Sequence, residues 1–415
     1  LSILFIFLFL LSLLLSKSIL GSIFTPFVVY SGAWSIAGFL LGLHWISYPD
    51  VGSVGWLGIA LAWFAIFIGS CLGSLVKTKS SKFTYRLSEK RLYKAMMFTN
   101  LFVAIGLIWK VKILMTTFGS LSNVNLTALR AMIVTNTLVY PSLSSYMTSL
   151  SLGGVALAMV YFFNYGLAKG AIFIPLILVI ISDWTYAGRA GLFTAACLVL
   201  ASFIIYRSIG IKKRLNISKR SKLIMIVLSV GMLLIFSFVI LSNREGNTEQ
   251  YAQFKNASAI AYIPSLNGLY TYYTSNIVSL GVALSNPLPM DGGSLLFAPV
   301  LNVLYKFIGE ASIVQYYPFV YIPAAINTYT YLYEFYRGFG WTGIVLGPFI
   351  LGFLSQRYLE IFKKGGLYAT IPLIFLTTAL GFSVPSNNFA HASFDIALVY
   401  GVIMLKWATT RTKEL

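Results

Sequence analysis

Apolar runs long enough to cross a bilayer recur along the whole chain, and they leave it few ways to fold. About 20 apolar residues make one helical crossing. Eleven such stretches are expected, over 1–15, 24–44, 55–76, 95–116, 146–165, 170–182, 190–206, 223–241, 340–354, 367–384 and 393–405. The 415 residues are 58% hydrophobic and 10% charged, against roughly 25% charged in a soluble domain. The fold class that follows is all-α, a polytopic integral membrane protein with about 11 transmembrane helices. The first run, Leu1–Leu15, lacks the basic start and small-residue cleavage site of a signal peptide, so it is expected to be a helix.

Charge is segregated along this pattern. Of 30 Lys and Arg residues, 22 fall in segments on one side of the crossings, with 3 of the 11 acids; the other side holds 8 of each sign. The formal charge of +19 therefore belongs to one face, which the positive-inside rule makes cytosolic. The basic loops at 77–94 and 207–222 and the basic residues at 357–364 and 406–413 are solvated inside segments beside anionic headgroups. The basicity needs no nucleic-acid partner. Two cysteines, Cys71 and Cys197, inside predicted helices, and two distant histidines, His44 and His391, give neither a disulfide nor a metal spacing.

The outer segments hold the candidates for function. Residues 243–325 form the only long loop, within a single domain spanning 1–415. Of the 26 tyrosines, 13 lie between Tyr251 and Tyr336, too many for a disordered segment. Ser294–Gly309 is expected to be a helix lying along the membrane surface. Tyrosine rings offer stacking faces for sugars; the alternative is an aromatic belt at the interface. Four arginines, Arg130, Arg189, Arg244 and Arg337, lie near helix ends on this outer side, with Lys255 and Lys306. A guanidinium grips phosphate through paired, charge-assisted bonds and keeps its proton, so together they suit a lipid diphosphate. The other reading of each is snorkelling or pairing with an outer acid such as Asp183 or Glu245. Arg189 and Arg244 are favoured, since they flank helices bordering the long loop, whereas Lys110 and Lys112 are expected to snorkel.

Candidate general bases are Glu334, His391, Asp183 and Glu245. His391 sits in the short outer segment 385–392 and titrates near neutrality when unperturbed; Glu334 stands beside the aromatic cluster. Their alternatives are a loop-closing hydrogen bond for His391 and a salt bridge to Arg337 for Glu334. Gly338, Gly340 and Gly343 spell the dinucleotide pattern GxGxxG, but here they open a membrane helix, where small residues allow close packing.

The run Asn327-Thr-Tyr-Thr-Tyr331-Leu-Tyr-Glu334-Phe-Tyr336-Arg337-Gly-Phe-Gly-Trp-Thr-Gly343 resembles the segment that ends the large outer loop of oligosaccharide repeat-unit polymerases, the Wzy-type O-antigen and capsule polymerases. Gly188-Arg189-Ala-Gly191, Arg130 and Arg244 support the resemblance, as does the plan of many helices with one large late outer loop. One departure is Gly338, which stands where the family carries an acid; this removes that acid or shifts its role to Glu334. The resemblance implies a GT-C-like, metal-independent, inverting glycosyltransferase of the bacterial inner membrane. It would polymerise polyprenyl-diphosphate-linked oligosaccharide units on the outer leaflet, with a chain-length regulator as partner and no cofactor. Arg130, Arg189, Arg244, Arg337, Tyr331, Tyr336 and Asn327 would bind substrate, and Glu334 or His391 would activate the acceptor hydroxyl. A ligase using the same donor is the nearest rival. A lipid-linked sugar flippase or transporter is the next, although no internal repeat and little mid-helix charge support it.

Overall fold

The computed structural model describes residues 1–77, 83–166, 172–208, 264–309, 311–322 and 325–413, with isolated positions 227, 231, 235 and 239. Arg244, Glu245, Lys255 and nearly all of the crossing expected over 223–241 lie outside the described residues.

Helices dominate. They are α1 (Ser2–Ile19), α2 (Pro26–Leu41), α3 (Gly52–Leu75), α4 (Glu89–Phe118), α5 (Leu126–Val134), α6 (Ser142–Tyr165), α7 (Phe173–Thr185), α8 (Ala190–Ser208), α9 (Pro264–Ser285), α10 (Ser294–Ile308), α11 (Leu332–Lys363), α12 (Thr370–Gly381) and α13 (Ala392–Ala408). Local sequence sets many of their starts. Thr25 caps α2 ahead of Pro26, Ser88 caps α4 ahead of Glu89, and the Asn125 side chain accepts from Thr127 and Ala128 at 2.9 and 3.0 Å to start α5.

Among the described residues six helices are long and apolar enough to cross a membrane: α1, α3, α4, α6, α8 and α11. The expected crossings at 24–44, 170–182, 367–384 and 393–405 also form helices, α2, α7, α12 and α13, of 16, 13, 12 and 17 residues. These fall below the usual length of a spanning helix, so the protein is an all-α membrane protein with six clear candidate spans rather than a demonstrated eleven. The stretch expected to form a helix over 294–309 does so as α10. The stretch read as a long loop is more regular than expected, because α9 runs through it for 22 residues. Its Ile277, Val278, Leu280 and Leu284 join the same core as α2 and α3, and Thr274, Ser275, Asn276 and Ser279 are also buried.

Two compact units emerge, neither continuous in sequence. Unit 1 is Leu1–Thr78, Thr248–Glu360 and Leu376–Ala392; unit 2 is Lys79–Asn247, Ile361–Phe375 and Ser393–Leu415. In unit 1, α3 and α11 pack backbone to backbone. A Cβ on Gly69 would lie 2.2 Å from the carbonyl of Phe349, and one on Gly73 would lie 2.5 Å from that of Phe353. Small residues four apart make that approach possible. α11 is two limbs. Gly340 takes φ 59° and ψ −145°, outside the helical region and suited to glycine, and the chain turns there. The expected crossing begins at this residue; the short limb before it carries Tyr333, Glu334, Tyr336 and Arg337. A small hairpin joins β2 (Val320–Tyr321) to β3 (Ala325–Ile326).

In unit 2, α6 is the central helix: 78% of its apolar window is buried, against 17% for α1 in the other unit. Strand β1 (Phe83–Leu87) pairs antiparallel with β4 (Thr409–Lys413), so two of the basic segments read as cytosolic are joined at one end of this unit. α5, the C-terminal end of α7 and the N-terminal end of α8 gather at the other end of α4.

Candidate functional site

In unit 2 the turn between α7 and α8 presents Arg189. Asp183 builds this turn. Its carbonyl accepts from Gly188 N–H at 2.9 Å, and its carboxylate accepts from Leu192 N–H at 2.8 Å, capping the first turn of α8 from outside the helix. Gly191 makes room for that carboxylate, since a Cβ there would lie 2.4 Å from Asp183 Oδ1. Ala187 bends the chain with φ 46°. The carbonyl of Arg189 accepts from Phe193 N–H at 3.2 Å, which places Arg189 at the helix entrance. Asp183 is thus committed as a cap rather than poised as a base.

Arg130, half-buried on α5, lies close enough to Arg189 for the two to repel. Burial first, and the Arg189 charge second, lower the Arg130 pKa from its ordinary value. The two guanidiniums thus lie within electrostatic reach of one another beside the entrance to α8.

Below this turn lies a group the sequence reading placed elsewhere. Lys110 does not snorkel; it is 0% exposed within unit 2. Its Nζ donates to Thr148 Oγ1 at 2.5 Å and to the Tyr186 hydroxyl at 2.8 Å. It also stands 4.2 Å from the Tyr186 ring centre and 5.3 Å from that of Tyr140. The reason is a close helix crossing. Gly106, one turn earlier on α4, faces α6 so tightly that a Cβ would lie 2.8 Å from Met147 Cβ and 3.0 Å from the Ser144 carbonyl. That approach brings Thr148 within reach of the ammonium, so burial replaces the route to the interface.

Unit 1 holds the aromatic and acidic candidates. Glu334 is 3% exposed, and its partner is Tyr317, whose hydroxyl donates to Oε1 at 3.0 Å, not Arg337. Burial and the adjacent Glu334 carboxylate raise the Tyr317 pKa far above the usual phenol range, so the phenol stays a donor. Tyr329 and Tyr333 stack with ring centres 4.0 Å apart and planes 14° from parallel, and Tyr317 lies about them at 6.4 and 6.0 Å. A cavity of about 130 Å³ opens beside them, lined by Tyr329, Tyr333, Tyr336, Arg337, Asn286 and Pro318 among others. Arg337 Nη1 donates to the Pro289 carbonyl, and Asp291 N–H donates to the Arg337 carbonyl at 2.8 Å, which ties the 289–291 segment to the short limb of α11. Among the described residues, Glu334 Oε2, Asp291 Oδ2, Arg337 Nε and the Tyr333 hydroxyl are buried without a hydrogen-bond partner. Unpaired buried polar groups are costly, and their gathering in one region marks a place suited to receive a polar ligand.

The remaining candidates scatter. Tyr331 is a core residue: its hydroxyl meets that of Tyr30 at 3.2 Å and its N–H donates to the Ser383 carbonyl at 2.9 Å. Asn327 is exposed. His391 Nε2 lies 2.9 Å from Ser386 Oγ, closing the loop as the structural reading of that residue anticipated. Nearby groups partly desolvate the ring and lower its pKa, although the residue keeps an exposed surface. Of the four arginines, the structure brings Arg130 and Arg189 together; Arg337 belongs to unit 1 and Arg244 lies outside the described residues. In comparisons with protein-family models, curated proteins and solved structures, none matches the chain.

Proposed function

We propose that this protein is a membrane glycosyltransferase of the oligosaccharide repeat-unit polymerase type, working at the outer face of a bacterial inner membrane. The observation that carries the reading is the placement of Arg189 at the entrance to α8, with Arg130, half-buried on α5, within electrostatic reach of it. A glycosyl transfer from a polyprenyl-diphosphate donor sends negative charge onto the diphosphate as the anomeric carbon–oxygen bond breaks. Preorganised cations stabilise charge that develops in this way. A helix N-terminus adds to the attraction.

An acceptor calls for a different chemistry, and unit 1 is considered for it by itself. The acceptor hydroxyl attacks the anomeric carbon and loses its proton to a base, with inversion at that carbon. Within unit 1 the candidate for such a base is Glu334: Tyr317 holds one carboxyl oxygen and leaves the other without a partner. Tyr329, Tyr333 and Tyr336 offer ring faces to the acceptor sugar. Arg337 is assigned to the acceptor cavity it lines, not to the diphosphate.

The test is the conservative exchange of each arginine. A bidentate phosphate grip does not survive replacement by a point charge on a flexible stem. Arg130→Lys and Arg189→Lys should each lower the rate of transfer from a polyprenyl-diphosphate oligosaccharide by on the order of 100-fold, about 2.7 kcal/mol. Unchanged rates in both would remove the diphosphate role from this turn.

A further inference from the structure

We infer that Lys110 is a positioning residue for the anion-binding turn: by holding Tyr186 it fixes the segment 183–189 that presents Arg189. The inference rests on the reading of that turn as a diphosphate site, and it adds to it a residue that never touches the substrate.

Three separate elements meet at the Lys110 ammonium. Thr148 comes from α6, Tyr186 from the turn itself, and Tyr140 from the segment leading into α6. Each tyrosine ties back to the turn or its surroundings. Tyr140 donates to the Thr185 carbonyl at 2.6 Å, and the Tyr186 hydroxyl lies 3.2 Å from Ser145 Oγ. Burial, the largest influence, raises the Tyr186 pKa, so its phenol keeps its proton and can serve Ser145 while accepting from Lys110. Asp183, three residues before Tyr186, is close enough to feel the Lys110 charge and caps α8 directly after Arg189. Removing Lys110 would leave the Tyr186 hydroxyl with its Ser145 partner and the ring with its edge-on contact to Tyr140, and would loosen the turn at its middle. Arg189 would then sample more positions, and a two-point grip on an anion depends steeply on position.

The rival explanation is that Lys110 merely fills space. That explanation makes a different prediction. A methionine of similar length fills the same space, whatever the exchange costs in stability through the partners it leaves behind. A packing role therefore leaves anion affinity untouched in Lys110→Met.

The experiment is titration of the full-length protein in lipid nanodiscs with inorganic pyrophosphate, followed by calorimetry, for wild type, Arg189→Lys, Lys110→Met, Tyr186→Phe and the double variant Lys110→Met/Tyr186→Phe. The expected result is weakening of about tenfold in Lys110→Met and in Tyr186→Phe, with the double variant no weaker than the worse single, since both act through one contact. Tyr186→Phe keeps the ring and leaves Lys110 its bond to Thr148, so it reports even if Lys110→Met does not fold. Wild-type affinity in Lys110→Met or Tyr186→Phe beside a weakened Arg189→Lys overturns this inference alone. Full additivity of the two single changes also overturns it. Wild-type affinity in Arg189→Lys, or no pyrophosphate binding by the wild type, overturns the diphosphate reading and this inference with it.

Discussion

Around the turn at 183–189, Lys110, Tyr140, Tyr186 and Asp183 all hold hydrogen bonds within unit 2, and Arg189 enters α8 from this braced frame. Around the short limb of α11 in unit 1, Glu334, Asp291 and Arg337 each hold one side-chain hydrogen bond and leave a second polar atom unused. There Glu334 Oε2, Asp291 Oδ2, Arg337 Nε and the Tyr333 hydroxyl are buried and unpartnered, next to a cavity walled by tyrosines. A braced frame suits a group that must stabilise charge without moving. A cluster of unused donors and acceptors suits a ligand rich in hydroxyls, which supplies the missing partners on arrival. Taken one by one, the first region suits a charged group and the second a neutral ligand rich in hydroxyls.

The strongest way to break that division is the arginine exchange. Arg189→Lys should abolish most transfer, on the order of 100-fold, while leaving binding of a free oligosaccharide acceptor to the unit 1 cavity unchanged in an equilibrium titration. If acceptor binding fell equally, the separation of roles would be wrong.

Gly191→Ala tests the frame itself. The new Cβ would sit 2.4 Å from Asp183 Oδ1, so the cap or the helix start must move. Destabilisation of about 2–3 kcal/mol is expected, read as a lower denaturation midpoint, together with weaker pyrophosphate binding.

Tyr317→Phe acts on the other region. It removes the donor to a buried carboxylate and should cost about 1–2 kcal/mol of stability, with loss of transfer but full retention of pyrophosphate affinity. Loss of pyrophosphate affinity in this variant would contradict the assignment.

His391 gives the smallest effect. Its folded pKa lies below the ordinary 6.5, so at neutral pH the ring is neutral. Because the folded chain binds this proton less readily than the unfolded chain, the stability contribution is present above pH 6.5 and is lost as pH falls through the lowered value. Titration of the imidazole C2 proton, assigned by comparison with His391→Asn, should show a midpoint below 6.5. A midpoint at or above 6.5 would place the ring in open solvent.

Much of this fold was legible because membrane helices are written in long apolar runs, and α1, α3, α4, α6 and α8 fall where hydropathy puts them. α9 was not, since Thr274, Ser275, Asn276 and Ser279 dilute its hydropathy and their burial is a tertiary fact. The break before the α11 crossing was readable from the glycines at 338, 340 and 343. Lys110 was missed for a definite reason: a lysine near the end of an apolar run looks like an interfacial anchor. Only the tight contact at Gly106 turns it inward. Arg130 and Arg189 were singled out by residue type, yet their proximity depends on how α5 folds beside the α7–α8 turn, which no spacing in the sequence encodes. Tyr331 matched the tyrosine pattern but serves the core, because it stands just before α11, where its hydroxyl meets Tyr30 and its N–H donates to the Ser383 carbonyl.

The most direct measurement is a reconstitution. Purified protein in nanodiscs, given a polyprenyl-diphosphate-linked oligosaccharide in the presence of a metal chelator, should yield a ladder of lengthened lipid-linked products, and Arg130→Lys and Arg189→Lys should each erase it. A correctly folded wild-type protein that binds the donor but leaves it unextended, or a ladder that persists in both arginine variants, would contradict the account.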